Sequence, residues 1–311
     1  MSKRTIITGG SGIIGRRLSQ ELLAAGHEVI ILSRNPTTAR PLPGVRAVGW
    51  DARTAEGWGE LADGAYAIIN LAGENIGSEG LIPLRGTWSN ERKQHIMHSR
   101  RDAGRAVVAA VAAAGAKPRV VVQMSGIDYY PSANTVMTEE SPRGRQFLAD
   151  VVADYWEPAT EPVEALGVRR VITRMAPLLH RETGPLPPSL LQFKLFAGGR
   201  LGSGRQWLSW IHIQDTVRAL RFLAECEDAT GVYNLAAPNP VTNTEFTQVL
   251  GRVMGRPTLI PVPEFALKLL LGEVSALVLE GRPVSVSKLQ ALGFTFDFPA
   301  LEAALRDILA E

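Results

Sequence analysis

The feature that most constrains this chain is a glycine-rich turn set between a strand and a helix near its start. The short apolar run Thr5-Ile6-Ile7 leads directly into Thr8-Gly9-Gly10-Ser11-Gly12-Ile13-Ile14-Gly15. Glycines at 9, 12 and 15 let the backbone turn tightly, approach a ligand closely and pack a helix onto the strand. The helix opening there offers unpaired N–H groups and the positive end of its dipole, a combination suited to a diphosphate. A lone glycine triplet carries little weight. The strand before this one and the helix after it make it a dinucleotide site.

Alternating β-rich runs and longer helical patterns then predict an α/β chain, with a doubly wound parallel sheet covered on both faces. Strands are expected over residues 4–8, 29–32, 67–71, 120–124 and 170–173, with helices near 13–25, 90–114 and 147–166. Further strands are expected at 208–213 and 232–235, with a helix over 215–224 between them. From about Pro238 prolines cluster, and helical patterns follow at 244–254 and 265–271. The division read from this is a Rossmann-type domain over 1–237 and a smaller, mainly α-helical substrate-side domain over 238–311, with the loops of 181–205 contributing to the substrate side. Such folds bind ligands at the carboxyl edge of the sheet.

Composition narrows the function. The chain has 311 residues, 45% hydrophobic and 21% charged, with a net charge of +2, which suits a globular protein with a sizeable core. Its arginine pairs are scattered and no basic run is interleaved with aromatics, so nucleic acid is not an expected partner. The single Cys226 excludes an internal disulfide and a cysteine-built metal site. The apolar stretch 265–279 is interrupted by Lys268 and Glu273, too short to span a bilayer. With the first strand beginning at once, no signal peptide is expected, and the expected location is the cytoplasm.

The end of the second strand distinguishes the two nicotinamide dinucleotides. An acidic residue there, roughly 20 residues past the glycines, would hold the ribose 2′-hydroxyl of NAD. Here the strand ends Ile31-Leu32-Ser33-Arg34, and no Asp or Glu lies between Glu28 and Asp51. Arg34 can fork onto a 2′-phosphate with Ser33 donating beside it, so NADP(H) is the expected cofactor. The alternative is an exposed surface arginine.

Beyond this turn, Asn70-Leu71-Ala72-Gly73 closes a strand and Trp210-Ile211-His212-Ile213-Gln214-Asp215 lies farther on. With them the chain resembles an extended short-chain dehydrogenase/reductase. The segments NLAGENI (70–76), SGIDYY (125–130), GSGRQWLSWIHIQD (202–215) and PVTNTEF (240–246), with Gly272-Glu273 and Gly293-Phe294, make it similar to the atypical epimerase-like branch. That branch carries the labels nucleoside-diphosphate-sugar epimerase and cell-division-inhibitor-like oxidoreductase. The resemblance spans nearly the whole chain. It implies that Gly9, Ser11, Gly12, Ile13, Ile14 and Gly15 hold the diphosphate, and that Ser33 and Arg34 meet the 2′-phosphate. Leu71 and Ala72, with Gly73 beside them, wall the adenine and ribose side. Arg100 matches an arginine that reaches the cofactor, and the backbone near Pro177 meets the nicotinamide. The chain departs from the family pattern at Asp128, Pro131 and Ala176-Pro177.

The family's usual acid–base pair is a tyrosine with a lysine four residues later, the lysine making the phenol a usable base. No tyrosine here has that lysine, and no lysine occurs between Lys117 and Lys194. A neutral tyrosine remains a fair proton donor and a poor base, which favours carbonyl or alkene reduction over alcohol oxidation. Tyr129 or Tyr130 is the expected donor, with Ser125 orienting a small-molecule substrate; the alternative is that both rings only stack. Two other readings stay open, an NADPH-sensing protein without turnover and, weaker, a nucleotide-sugar epimerase. Of the remaining candidates, His212 either faces the pocket or holds a loop, and Arg174 either binds an anionic substrate or pairs with an acid. Glu74 either enters the cleft or lies at the surface. His95 and His98 read as a polar helix face, and Trp207 and Trp210 as packing.

Overall fold

A computed structural model of the chain, describing residues 3–77 and 88–310, contains a seven-stranded sheet at its centre. Its members are β1 (Lys3–Thr8), β2 (His27–Ser33), β3 (Val45–Gly49), β4 (Ala67–Asn70), β5 (Val120–Gly126), β6 (Arg169–Met175) and, after short strands β7 (Leu178–Leu179), β8 (Trp207–Leu208) and β9 (Ile211–His212), β10 (Gly231–Leu235). The order across the sheet is β10-β6-β5-β4-β1-β2-β3 and every pairing is parallel. The chain reverses direction across the sheet between β1 and β4, the crevice where such sheets bind ligands.

Period-two alternation assigns each strand residue to one of two cores. Ile7, Ile31, Ile69 and Val122 face one side, against α1 (Ile13–Ala24) and, later in the chain, the helix Ile213–Glu225. Ile6, Ile30, Ile68 and Val121 face the other, against Ala103, Val107 and Val111 of α2 (Asn90–Ala113). Ser89 caps α2 by accepting from the Arg92 amide.

Three expectations need correction. The strand β3 is not among those expected; it is a short edge strand after Pro41 and Pro43 with little apolar alternation, so its pattern reads as loop. The single helix expected over 147–166 is broken into α3 (Phe147–Asp150), a π-helical turn Val151–Trp156, a 3₁₀ turn Pro158–Thr160 and α4 (Pro162–Ala165). Pro158 and Pro162 lack the N–H that a continuous helix needs, and the Glu157 amide reaches back five residues to the Val152 carbonyl. The strand expected at 208–213 is two short ones, because β8 pairs with Val241–Thr242 and β9 with β7, and the His212 side chain, accepting from the Gln214 amide, starts a helix at Ile213.

The remaining elements are α5 (Leu186–Lys194), α6 (Ile213–Glu225), β11 (Val241–Thr242), α7 (Asn243–Met254), α8 (Glu264–Leu271), α9 (Ala276–Leu279), α10 (Ser287–Ala291) and α11 (Leu301–Ala310). A third core joins Phe193 of α5, the fully buried Trp210, Phe246 and Leu250 of α7, and Leu305 of α11. Thr242 and Glu245 form a capping box at the start of α7. No helix among the described residues is long and apolar enough to cross a membrane.

Candidate functional site

The glycine turn has the shape a diphosphate requires. Gly9 adopts a left-handed φ of 65°, and a Cβ there would stand 3.1 Å from the backbone of Leu71 and Ala72. At Gly15 a Cβ would stand 2.5 Å from the Gly10 Cα, so α1 packs directly on the turn. Gly12 is the N-cap and no side chain caps α1, which leaves the N–H groups at Ile13 and Ile14 to an outside acceptor. Gly15→Ala is therefore expected to destabilise the fold by about 1–3 kcal/mol through overpacking against backbone that has no rotamer to yield. Urea unfolding measures the loss; an unchanged midpoint would contradict the contact.

At the end of β2, Ser33 is buried and its Oγ accepts from the Asn35 amide, leaving its own hydrogen to donate. Arg34 is exposed and makes no hydrogen bond or ion pair within the described residues. Beside it in the sheet, a polar chain ties three strands together: Thr8 to Asn70, and Asn70 Nδ2 to Gln123 Oε1 at 2.8 Å. The Thr8 hydroxyl also accepts from the amides of Leu71 and Ala72 at 3.1 and 3.2 Å, which fixes the loop after β4.

Arg100 projects from α2 under that loop, and a Cβ at position 73 would lie 3.3 Å from its guanidinium carbon, so Gly73 makes room for it. The side chain is buried, stacks on Trp156 at 4.3 Å and gives one hydrogen bond to the Ile96 carbonyl, while its Nε has no partner. Burial pulls its pKa down to about 10, opposed by the charges of Glu74 and Asp128. A desolvated cation with an idle donor is what an anionic ligand group would complete. The cradle, the free Arg34 and this orphaned donor all fit a phosphorylated dinucleotide.

Farther along the carboxyl edge of the sheet, Ser125, next to last in β5, donates to Glu157 Oε1 at 2.8 Å. Glu157 in turn accepts from Arg174 through Nε at 2.8 Å and Nη2 at 2.9 Å. Burial works against the Arg174 cation, and the hydrogen bonds and charge of Glu157 outweigh it and raise its pKa. Arg174 Nη1 donates to the Tyr130 hydroxyl, which donates to Asn234 Oδ1 at 2.7 Å. Tyr130 is fully buried, and burial pushes its pKa up to about 12. Tyr129 differs: it is half-buried, its ring lies 3.4 Å from the Arg174 guanidinium carbon, and its hydroxyl has no partner among the described residues. Pro177 is exposed just past β6, and its carbonyl accepts from the Ile211 amide.

Sequence reasoning missed two residues here. Glu157 and Trp156 stand where the broken helix turns, and an isolated Trp-Glu pair in a helical pattern carries no signal. The π turn widens the backbone and sets Trp156 against Arg100 and Glu157 against Ser125. Asp128, where the sequence departs from the family pattern, pairs with Arg282 at 2.7 Å. The same loop is pinned to the C-terminal region at Ala133 N to Gly281 O, Met137 N to Pro283 O and Ser285 N to Met137 O. His212 caps α6, pairs with Asp307 and packs on Phe298, and Glu74 pairs with Arg92 at 2.8 Å; both are structural contacts. Among the described residues no group of three potential ligands could hold a metal.

Comparison with known proteins agrees with this geometry. Residues 9–186 match an NAD(P)H-binding family, and residues 262–308 match a domain of unknown function. The chain is 36% identical over 306 residues to the epimerase family protein YfhF of Bacillus subtilis, covering 98% of this chain and 97% of that one. It is 36% identical to the epimerase family protein SDR39U1 of Mus musculus, covering 99% of this chain and all of that one. The crystal structure of human epimerase family protein SDR39U1 with NADPH superposes with a TM-score of 0.85 at 34% identity, over 99% of both chains.

Proposed function

We propose that this chain, which belongs to the extended short-chain dehydrogenase/reductase family of epimerase-like proteins that includes YfhF and SDR39U1, is an NADP(H)-dependent oxidoreductase reducing a small organic substrate. The observation that carries the cofactor reading is the free Arg34 just past β2, in a stretch with no Asp or Glu between Glu28 and Asp51 to prefer a 2′-hydroxyl. The NADPH in the human SDR39U1 structure supports the same reading. Gly9, Ser11, Gly12, Ile13, Ile14 and Gly15 would hold the diphosphate, Ser33 and Arg34 the 2′-phosphate, and Arg100 a further anionic group. Leu71, Ala72 and Gly73 would wall the ribose side, with Pro177 beside the nicotinamide.

When bound, the reduced cofactor supplies a hydride. Tyr129 gives the proton to the substrate oxygen or carbon that completes the reduction, and its hydroxyl, unpartnered among the described residues, regains one from solvent. Tyr130 is unsuited to this task, because its hydrogen is committed to Asn234 and burial holds its pKa near 12. Glu157 accepts the Ser125 hydrogen, and with Ser125 itself buried the two would orient the substrate through the loop that carries Tyr129, not by direct contact. The commitment of Ser125 and Tyr130 to internal partners favours a second reading, an NADPH-binding protein that signals without turnover.

Arg34→Ala is expected to weaken NADPH binding about tenfold or more and leave NADH binding unchanged, since one charge-assisted hydrogen bond contributes on the order of 1.5–3 kcal/mol. Titration with both cofactors measures this, and equal losses would remove the basis for NADP(H). A panel of carbonyl and enone compounds, read by NADPH oxidation, then decides between the two readings. Turnover of any member supports the reductase; inertness throughout, with tight NADPH binding, supports the sensor.

A further inference from the structure

Helix α8 reads Glu264-Phe-Ala-Leu-Lys-Leu-Leu-Leu271, apolar on almost every side, and only Leu267 is buried. A helix apolar all round belongs in an interior, and among the described residues nothing covers most of this one. Phe265 is 73% exposed, Leu269 83% and Leu270 61%. The segment before it adds Leu259 at 79% and Ile260 at 52%, and the turn just after α5 adds Phe196. These segments adjoin: the Ile260 amide donates to the Gly198 carbonyl, the Val262 amide to the Arg200 carbonyl, and Arg256 lies over Phe196 at 4.4 Å.

We propose that this face, half of it from the domain of unknown function, is the interface with a second copy of the same chain. Two observations select that occupant. The six apolar side chains expose on the order of 800 Å², the area each partner contributes to a standard stable interface and more than a solitary monomer normally leaves open. The charges of α8 are also self-complementary. Glu264 and Lys268, 2.6 Å apart, flank the apolar stripe. Two antiparallel copies of α8 about a two-fold axis set Phe265 of one near Leu269 of the other, with Glu264 of each on the side of Lys268 of its partner.

Sedimentation velocity on the full chain over a wide concentration range tests the proposal. The expected result is a reversible monomer–dimer equilibrium. Leu269→Asp, and separately Phe265→Ser, should weaken the dimer roughly tenfold or more, as for a central interface residue. Thermal unfolding of the dilute monomer and NADPH affinity should stay as in the parent, since neither side chain is buried in its own chain. Glu264→Lys and Lys268→Glu should each weaken the dimer, and the double exchange should restore it. A monomer at every concentration, a dimer indifferent to Leu269→Asp, or no recovery in the double exchange would overturn the proposal. So would flotation of the parent, but not of Leu269→Asp, with phosphatidylcholine–phosphatidylglycerol vesicles, which would assign the face to lipid.

Discussion

Tyr129→Phe is expected to slow single-turnover NADPH oxidation by about 10²–10⁴-fold, the contribution of a positioned proton donor, while NADPH affinity is retained. The two adjacent tyrosines differ in their partners. Tyr129 keeps an unpartnered hydroxyl, with its ring fixed against Arg174, whereas Tyr130 is enclosed and shares hydrogen bonds with Arg174 and Asn234. Tyr130→Phe should therefore act on stability, costing about 1–3 kcal/mol by leaving buried partners unsatisfied. Its rate should change little. Stopped-flow oxidation with a reducible compound and urea unfolding separate the two effects. If Tyr129→Phe reacts at the parental rate, the proton comes from elsewhere.

Glu157→Ala should destabilise the fold by about 3–5 kcal/mol, because it strands the Arg174 cation without its carboxylate in a site from which water is excluded. Both partners are enclosed, with side-chain exposures of 4% for Arg174 and 12% for Glu157, and the contact is bidentate. Removing both charges should cost much less than the sum of the single changes, so Glu157→Ala combined with Arg174→Met ought to recover a large part of the loss. Chemical denaturation of the two singles and the double completes the cycle. Additive losses would mean that the pair holds nothing together.

The parts of this molecule that depend on neighbours along the chain are legible in its sequence. The cradle at Gly9 to Gly15 is a local turn whose glycines declare the close approaches that the geometry shows, and α1 and α2 begin where their sequences predict. The missing lysine after each tyrosine is equally plain. What escapes such a reading depends on distance or on a rare backbone. Glu157 reaches Ser125 across 32 residues and Arg282 reaches Asp128 across 154, and neither partner carries a mark of the other. The run from Phe147 to Ala165 has helical periodicity, which does not reveal a π turn closed by two prolines. β3 is short, charged at Arg46 and at the sheet's edge, where burial imposes little pattern.

The tyrosine-bearing segment and residues 281–285 are laced together by backbone bonds at 133 and 137 and by the Asp128–Arg282 contact. They form one wall although a large stretch of chain separates them. An exchange of the C-terminal region between relatives would therefore carry over only half a wall. Chimeras should keep their activity when both pieces come from the same parent, and lose it when the junction divides them.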